Sequence, residues 1–126
     1  MRRLLFILLI TFLAGCAGPQ HVSHVHHHPE KYYQDRWCKK HHGITEHVLE
    51  DRTRVDCLTD KHAIEFDFAP KWAESIGQAL YYAEMTGKRP GVVLIMENQG
   101  DERFKVRLQR VSDRYGLTVW TIGPDE

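Results

Sequence analysis

The chain has 126 residues, with 17 Lys and Arg against 17 Asp and Glu, so its formal net charge is zero. That length allows one small domain with a single core and excludes a multidomain assembly. The charge balance excludes the clearly basic surface that non-specific DNA binding requires.

The first stretch reads as an export signal. Met1-Arg2-Arg3 is a positive n-region, and Leu4 to Leu13 is an apolar run too short to span a bilayer comfortably. It ends in Leu13-Ala14-Gly15-Cys16, which resembles the bacterial lipobox. The resemblance implies that residues 1–15 are a lipoprotein signal peptide. It also implies that Cys16 becomes the mature N-terminus and carries palmitate-type acyl chains. Each buried CH₂ of such chains is worth about 0.8 kcal/mol, so several chains anchor firmly. Ala17 follows the Cys, and the absence of Asp there resembles an outer-membrane sorting signal in lipoproteins of the enteric type. The expected location is therefore the cell envelope, on the outer membrane facing the periplasm. Cleavage would remove Arg2 and Arg3, leaving 15 of the 17 basic residues against 17 acidic ones, a net charge of −2.

Residues 16–29 form the lipidated Cys and a tether, "AGPQHVSHVHHHP" after Cys16, with five His: His21, His24, His26, His27 and His28. Its polar, Gly- and Pro-containing composition fits a spacer with little that can pack. Clustered neutral imidazoles also suit Zn²⁺, Cu²⁺ or Ni²⁺, and composition alone leaves both readings open.

Residues 30–126 are expected to form a single domain. "EKYYQDRWCKKHH" predicts a helix over 30–42, with Tyr33, Trp37 and Lys40/His41 on one stripe and Gly43 as its stop. Strands are predicted over 44–50, 54–59 and 62–68, joined by turns at 51–53 and 60–61. Pro70 suits the first turn of a helix running to Gly87, with Trp72, Ile76, Ala79/Leu80 and Ala83 at helical spacing. "GVVLIME" over 91–97 reads as a strand buried on both faces. A helix over 101–116 carries Phe104, Leu108, Val111 and Tyr115 on one stripe, and a last strand spans 117–122. The fold class is mixed α/β, in the order α-β-β-β-α-β-α-β.

Cys38 and Cys57 are an even pair in an oxidising compartment once Cys16 is acylated. A disulfide between them would close a loop of about 20 residues and stabilise by roughly 3 kcal/mol. Cys57 should face away from Asp56 if side chains alternate along the strand, which would put the first helix behind the carboxylate face.

The third strand, "HAIEFDF", places Ile64, Phe66 and Phe68 on one face and Glu65 and Asp67 together on the other. Asp56 sits on the preceding strand. These acids, in this element order, resemble the PD-(D/E)XK nuclease-like superfamily, whose pattern is an Asp on the second core strand and an acidic-x-Lys on the third. Gln78-Ala-Leu-Tyr-Tyr82 on the following helix resembles the QxxxY element of the exonuclease-type branch. The resemblance covers most of residues 30–122 and implies a restriction-endonuclease-like fold, a mixed sheet flanked by helices. It implies Asp56 and Glu65 as ligands of Mg²⁺ or Mn²⁺, with Glu46, or less favourably Glu30, as the upstream acid. A hard divalent ion of this kind takes oxygen donors, polarises a phosphate and lowers the pKa of an attacking water. Gln78 and Tyr82, four residues apart, would brace the site from one helix face.

One departure is specific. Asp67 occupies the position of the family's Lys, adding repulsion where the template has a positive charge. Lys71 is placed either to swing back as a migrated lysine or to pair with Asp67. Two function classes therefore stay open. The first is an envelope lipoprotein whose nuclease-like domain binds or supports with lost or altered catalysis, which the neutral-to-acidic charge favours. The second is a divalent-metal-dependent nuclease acting on DNA or RNA at the envelope. The membrane, through Cys16, is the implied partner; nucleic acid follows from the superfamily and not from the charge. Trp72 and Tyr81 are expected in packing roles, His62 is expected exposed, and His41, His42, His47 and His62 are given no metal role.

Overall fold

The computed structural model describes residues 25–126. The predicted signal peptide, Cys16 and the first part of the tether lie outside the described residues. Among the described residues, no helix is long and apolar enough to cross a membrane.

The fold is mixed α/β with the expected element order: α1 (Glu30–Lys40), β1 (Ile44–Val48), β2 (Arg54–Leu58), β3 (His62–Phe68), α2 (Trp72–Thr86), β4 (Arg89–Ile95), α3 (Glu102–Tyr115) and β5 (Thr118–Ile122). The five strands form one sheet in sequential order, β1-β2-β3-β4-β5. β1, β2 and β3 form an antiparallel meander, because links of five and three residues are too short to carry the chain back into a parallel neighbour. β3, β4 and β5 are parallel, and their crossovers are the helices α2 and α3. Single 3₁₀ turns lead into both crossover helices, Ala69–Lys71 with Pro70 at its start and Gln99–Asp101 with an Asn98–Asp101 capping box.

β4 is buried on both faces, as its unbroken apolar run predicts. Val93 and Ile95 pack with Tyr33, Trp37 and Phe66 under α1, while Val92 and Leu94 pack with Ala79 and Leu108 under α2 and α3. The strand begins at Arg89 and ends at Ile95, so it starts and finishes two residues earlier than 91–97.

Several sequence expectations need correction. α1 ends at Lys40, and the left-handed residue that stops it is His42 (φ 56°), not Gly43. Gly43 is required for a different reason, since a Cβ there would lie 2.5 Å from Cys57 Sγ and 2.6 Å from Cys38 Sγ. On α2, Trp72, Ile76 and Ala79 pack into the core as expected, with Ser75 and Tyr82 also buried, but Leu80 is left exposed. The α3 stripe buries Leu108 and Ser112, and Tyr115 points to solvent. Tyr81 is likewise exposed and donates its hydroxyl to Asp51 rather than joining the core. His62 is half-buried, its Nε2 3.2 Å from Thr118 Oγ1 and its ring edge-on to Trp120. Strand β1 stops at Val48, where the Leu49 N–H donates to the Thr53 carbonyl, and β2 stops at Leu58, where the Thr59 N–H donates to the His62 carbonyl.

Cys38 and Cys57 form a disulfide, with Cα atoms 5.8 Å apart, which ties α1 to β2. The last tether residues also pack, against expectation. His26 stacks on Phe68 and His28 on Tyr32. The Glu97 carboxylate, at the end of β4, gathers His26 Nδ1 (2.9 Å), the His27 N–H (2.9 Å) and the Tyr33 hydroxyl (2.5 Å).

Candidate functional site

The site forms where the sheet comes apart. β2 pairs with β3 at Cys57–Ile64 and Leu58–Ala63. Val55 and Cys57 are two residues apart and should share a face, yet Val55 packs with Tyr82 of α2 and Cys57 with α1. The backbone therefore slips at Asp56. Its carboxylate sits in the gap between the strands, where Oδ2 accepts the Phe66 N–H at 2.8 Å. This corrects the expectation that Asp56 would simply oppose Cys57 across a regular strand. It also lets α1, on the far face, reach the site, because buried Gln34 hydrogen-bonds the Asp56 carboxylate.

On β1 the ladder pairs Thr45 with Cys57 and His47 with Val55. Between them Glu46 adopts φ 55°, a left-handed backbone that costs an L residue about 1 kcal/mol. Its side chain pairs with Arg54 at 2.8 Å. β3 contributes Glu65 and Asp67, both buried, at 5% and 3% exposure. The entry to α2 contributes Lys71, whose Nζ lies 3.8 Å from Asp67 Oδ1. One face of α2 contributes Gln78 and Tyr82.

All these side chains line one open cavity of about 440 Å³. Asp56, Glu65, Asp67, Lys71, Gln78, Tyr82 and both upstream acids, Glu46 and Glu30, share its wall, so the acidic-site candidates are brought together. Arg52, Thr53, Arg54, Phe66 and Glu74 complete the wall and were not anticipated there. Gln34 was also missed, although it lies one helical turn beyond Glu30 and on the same helix face. Arg52 and Arg54 carried a weaker signal, two cations flanking the turn before Asp56.

The electrostatics follow from burying acids together. Burial, then the Asp56 charge and a hydrogen bond to it, push Glu65 up to about 10, so its carboxyl is protonated at neutral pH. It donates that proton toward Asp56, which is itself raised by burial even though the Phe66 N–H and Gln34 support its charge. Burial raises Asp67 to about 7 against the opposing pull of Lys71. Glu30 is raised by burial and by Asp56, and Tyr82 is pushed up to about 12 by burial, Glu65 and Asp56. Glu65 Oε2 is buried without a hydrogen-bond partner. An orphaned buried oxygen of this kind costs about 1–3 kcal/mol, and a cation in the cavity would satisfy it.

The donors are all carboxylate or amide oxygens, a phenol included, which suits a hard divalent ion. Among the described residues, no group of three or more His, Cys, Asp or Glu side chains is placed to hold a metal ion. Chemically, the cavity offers a neutral carboxyl donor in Glu65 and a carboxyl in Asp67 that exchanges its proton near neutrality.

No family model matches the chain, and no curated protein or solved structure matches it either.

Proposed function

We propose that this chain is an envelope lipoprotein, anchored through Cys16, whose nuclease-like domain binds a divalent cation in its acidic cavity and has lost or altered its catalysis. The observation that carries this reading is Glu65, a buried carboxyl with one oxygen unpartnered, facing Asp56 and Asp67 across one cavity. Asp56 and Glu65 would hold Mg²⁺ or Mn²⁺, with Glu46 or Glu30 as an added ligand. When bound, the ion would supply charge neutralisation and phosphate polarisation. Altered catalysis is favoured because Asp67 stands where the resembled superfamily has its Lys, and the nearest cation, Lys71, is spent on Asp67.

The test is thermal. A ligand that binds only the native state stabilises by about 2.7 kcal/mol at a hundredfold excess over its Kd. Millimolar Mg²⁺ or Mn²⁺ should raise the Tm of the domain lacking the His-rich segment, and Glu65→Gln should abolish that response. Cleavage of single- and double-stranded DNA and RNA is assayed on the same proteins. A metal response without cleavage supports the proposal. Identical melting of wild type and Glu65→Gln, with and without metal, would overturn it. The second reading, a metal-dependent nuclease, has Lys71 in its favour, since this side chain does line the cavity.

A further inference from the structure

The sheet has two edges, and they differ. At β1 the edge is distorted by the left-handed backbone of Glu46 and carries that residue's charge. Irregular backbone and charge are how proteins protect an edge from pairing. β5 has neither. "TVWTI" is regular, uncharged and built from β-branched and aromatic residues, and among the described residues no strand pairs with its outer side. The Met96 N–H donates to the Ile122 carbonyl, so Ile122 turns its backbone groups toward β4. By alternation along the strand, Val119 and Thr121 direct their N–H and C=O groups outward.

This edge forms the floor of a groove of about 850 Å³ between α1 and α3. Its walls carry Arg36, Lys39 and Lys40 from α1 and Lys105 from α3, the last paired with Glu102 at 3.1 Å, and the one acid in the lining is Glu126. Trp120 and Trp37 supply an apolar stretch between these cations. The groove lies outside the acidic cavity and shares no lining residue with it.

We infer that the β5 edge is a docking site for an extended acidic segment of another protein, which adds to the sheet as a sixth strand. Backbone pairing with Val119 and Thr121 supplies the affinity, and the flanking lysines select acidic side chains. The charge argues against the other occupants. A second copy paired edge to edge would bring like-charged walls together. The chain's own residues 1–24 contain no Asp or Glu to complement the lysines. A single-stranded nucleic acid would match the charge but would leave the outward N–H and C=O row unpaired.

The probe is a short synthetic peptide alternating Glu with Val, titrated into the full chain and followed by tryptophan fluorescence and calorimetry. It should bind, and weaken as salt rises. A peptide with Lys in place of Glu should bind at least about tenfold more weakly. Thr121→Pro removes one outward N–H from an exposed edge position and should lose binding. The double change Lys39→Glu and Lys40→Glu alters only exposed charges on α1 and should reverse the preference toward the Lys peptide. Failure of the Glu peptide to bind the wild-type chain would overturn the inference. So would unchanged binding by a folded Thr121→Pro chain together with an unreversed charge preference. Binding of oligothymidylate in place of the peptide, or self-association abolished by Thr121→Pro, would overturn it in favour of nucleic acid or a second copy.

Discussion

Asp56 and Glu65 bring two acids together where β2 and β3 part, and burial, then the Asp56 charge, holds Glu65 protonated beside Asp56. The strand slip at Asp56 brings them together, and burial is the first cause of the raised values of Glu65, Asp56 and Asp67.

The first consequence is a pH-dependent stability of unusual sign for carboxylates. Glu65 and Asp67 are raised in the folded state to about 10 and about 7, whereas unfolded they titrate near 4. The folded state then binds more protons than the unfolded state above pH 4. Stability is complete below the unfolded values and falls as pH rises, through about 7 for Asp67 and on toward 10 for Glu65. Each proton contributes a slope of up to about 1.4 kcal/mol per pH unit. Glu65→Gln keeps a donor toward Asp56 but cannot ionise, so it should flatten the fall and be the more stable protein at pH 8 by about 2 kcal/mol or more. Urea denaturation across pH 5–9 measures this, and parallel curves for the two proteins would contradict it.

Gly43 should be as sensitive as a core residue, although it sits at a turn. An added Cβ meets both disulfide sulfurs at 2.5 and 2.6 Å, and neither sulfur can move without shifting α1 or β2. Gly43→Ala should cost about 1–3 kcal/mol, the usual range for overpacking. Reduction alone should cost about 3 kcal/mol. The two effects should be less than additive, because reduction lets the sulfurs separate. Chemical denaturation of both proteins with and without reductant checks this.

The element order was legible because the hydrophobic period changes cleanly between strands and helices, and the β4 run admits no polar face. The pairing of Cys38 with Cys57 was legible from count and compartment. Strand alternation put Glu65 beside Asp67 and helical spacing put Gln78 beside Tyr82, while their convergence with Asp56 was implied only by the resemblance to the PD-(D/E)XK superfamily. The slip at Asp56 was not legible. "RVDCL" alternates well enough as written, and only the opposite-facing environments of Val55 and Cys57 reveal the break. For the same reason Gln34 was missed, since a regular strand would have kept α1 away from the acids. The docking of His26 was also hidden, because its partners Glu97 and Phe68 are brought near it only by the sheet.

That docking has a testable hinge in Glu97. Burial alone would raise its pKa, but the Tyr33 hydroxyl, His26 and the His28 and His27 N–H groups more than compensate and hold it below the usual carboxylate range. Glu97→Gln removes the charge that these donors share, and should release residues 25–28 from the domain while leaving the core intact. Faster amide exchange at His27 and His28, with little change in global unfolding, is the expected result. The freed imidazole of His26 should also strengthen Ni²⁺ binding by the His-rich segment. A chain beginning at Glu30 is the control for that segment, and equal Ni²⁺ titrations of the two chains would make residues 17–29 a spacer.

The anchor is tested through Cys16. If residues 1–15 are a lipoprotein signal, Cys16→Ser should abolish palmitate labelling and detergent partitioning in a bacterial host. It should leave the Cys38–Cys57 bond in place, because that pair closes within the domain. Retained label on the Ser variant would refute the anchor reading.

Lys71 decides between the two readings of the cavity. Its ammonium lies 3.8 Å from Asp67 Oδ1 and opposes the burial that raises this carboxyl. Lys71→Ala should therefore move the Asp67 titration further above about 7, observable by carboxyl-carbon NMR. The shift should be small, because the lysine side chain is 58% exposed and water screens it. A lysine that only pairs with Asp67 changes that titration and nothing else. A lysine that has replaced the superfamily's strand residue would also support Mg²⁺-dependent cleavage of nucleic acid, and its removal would lower that rate by orders of magnitude. The expected outcome is a shifted Asp67 with no cleavage by either protein. Cleavage by wild type that is lost in Lys71→Ala would instead establish the nuclease and make Lys71 its migrated lysine.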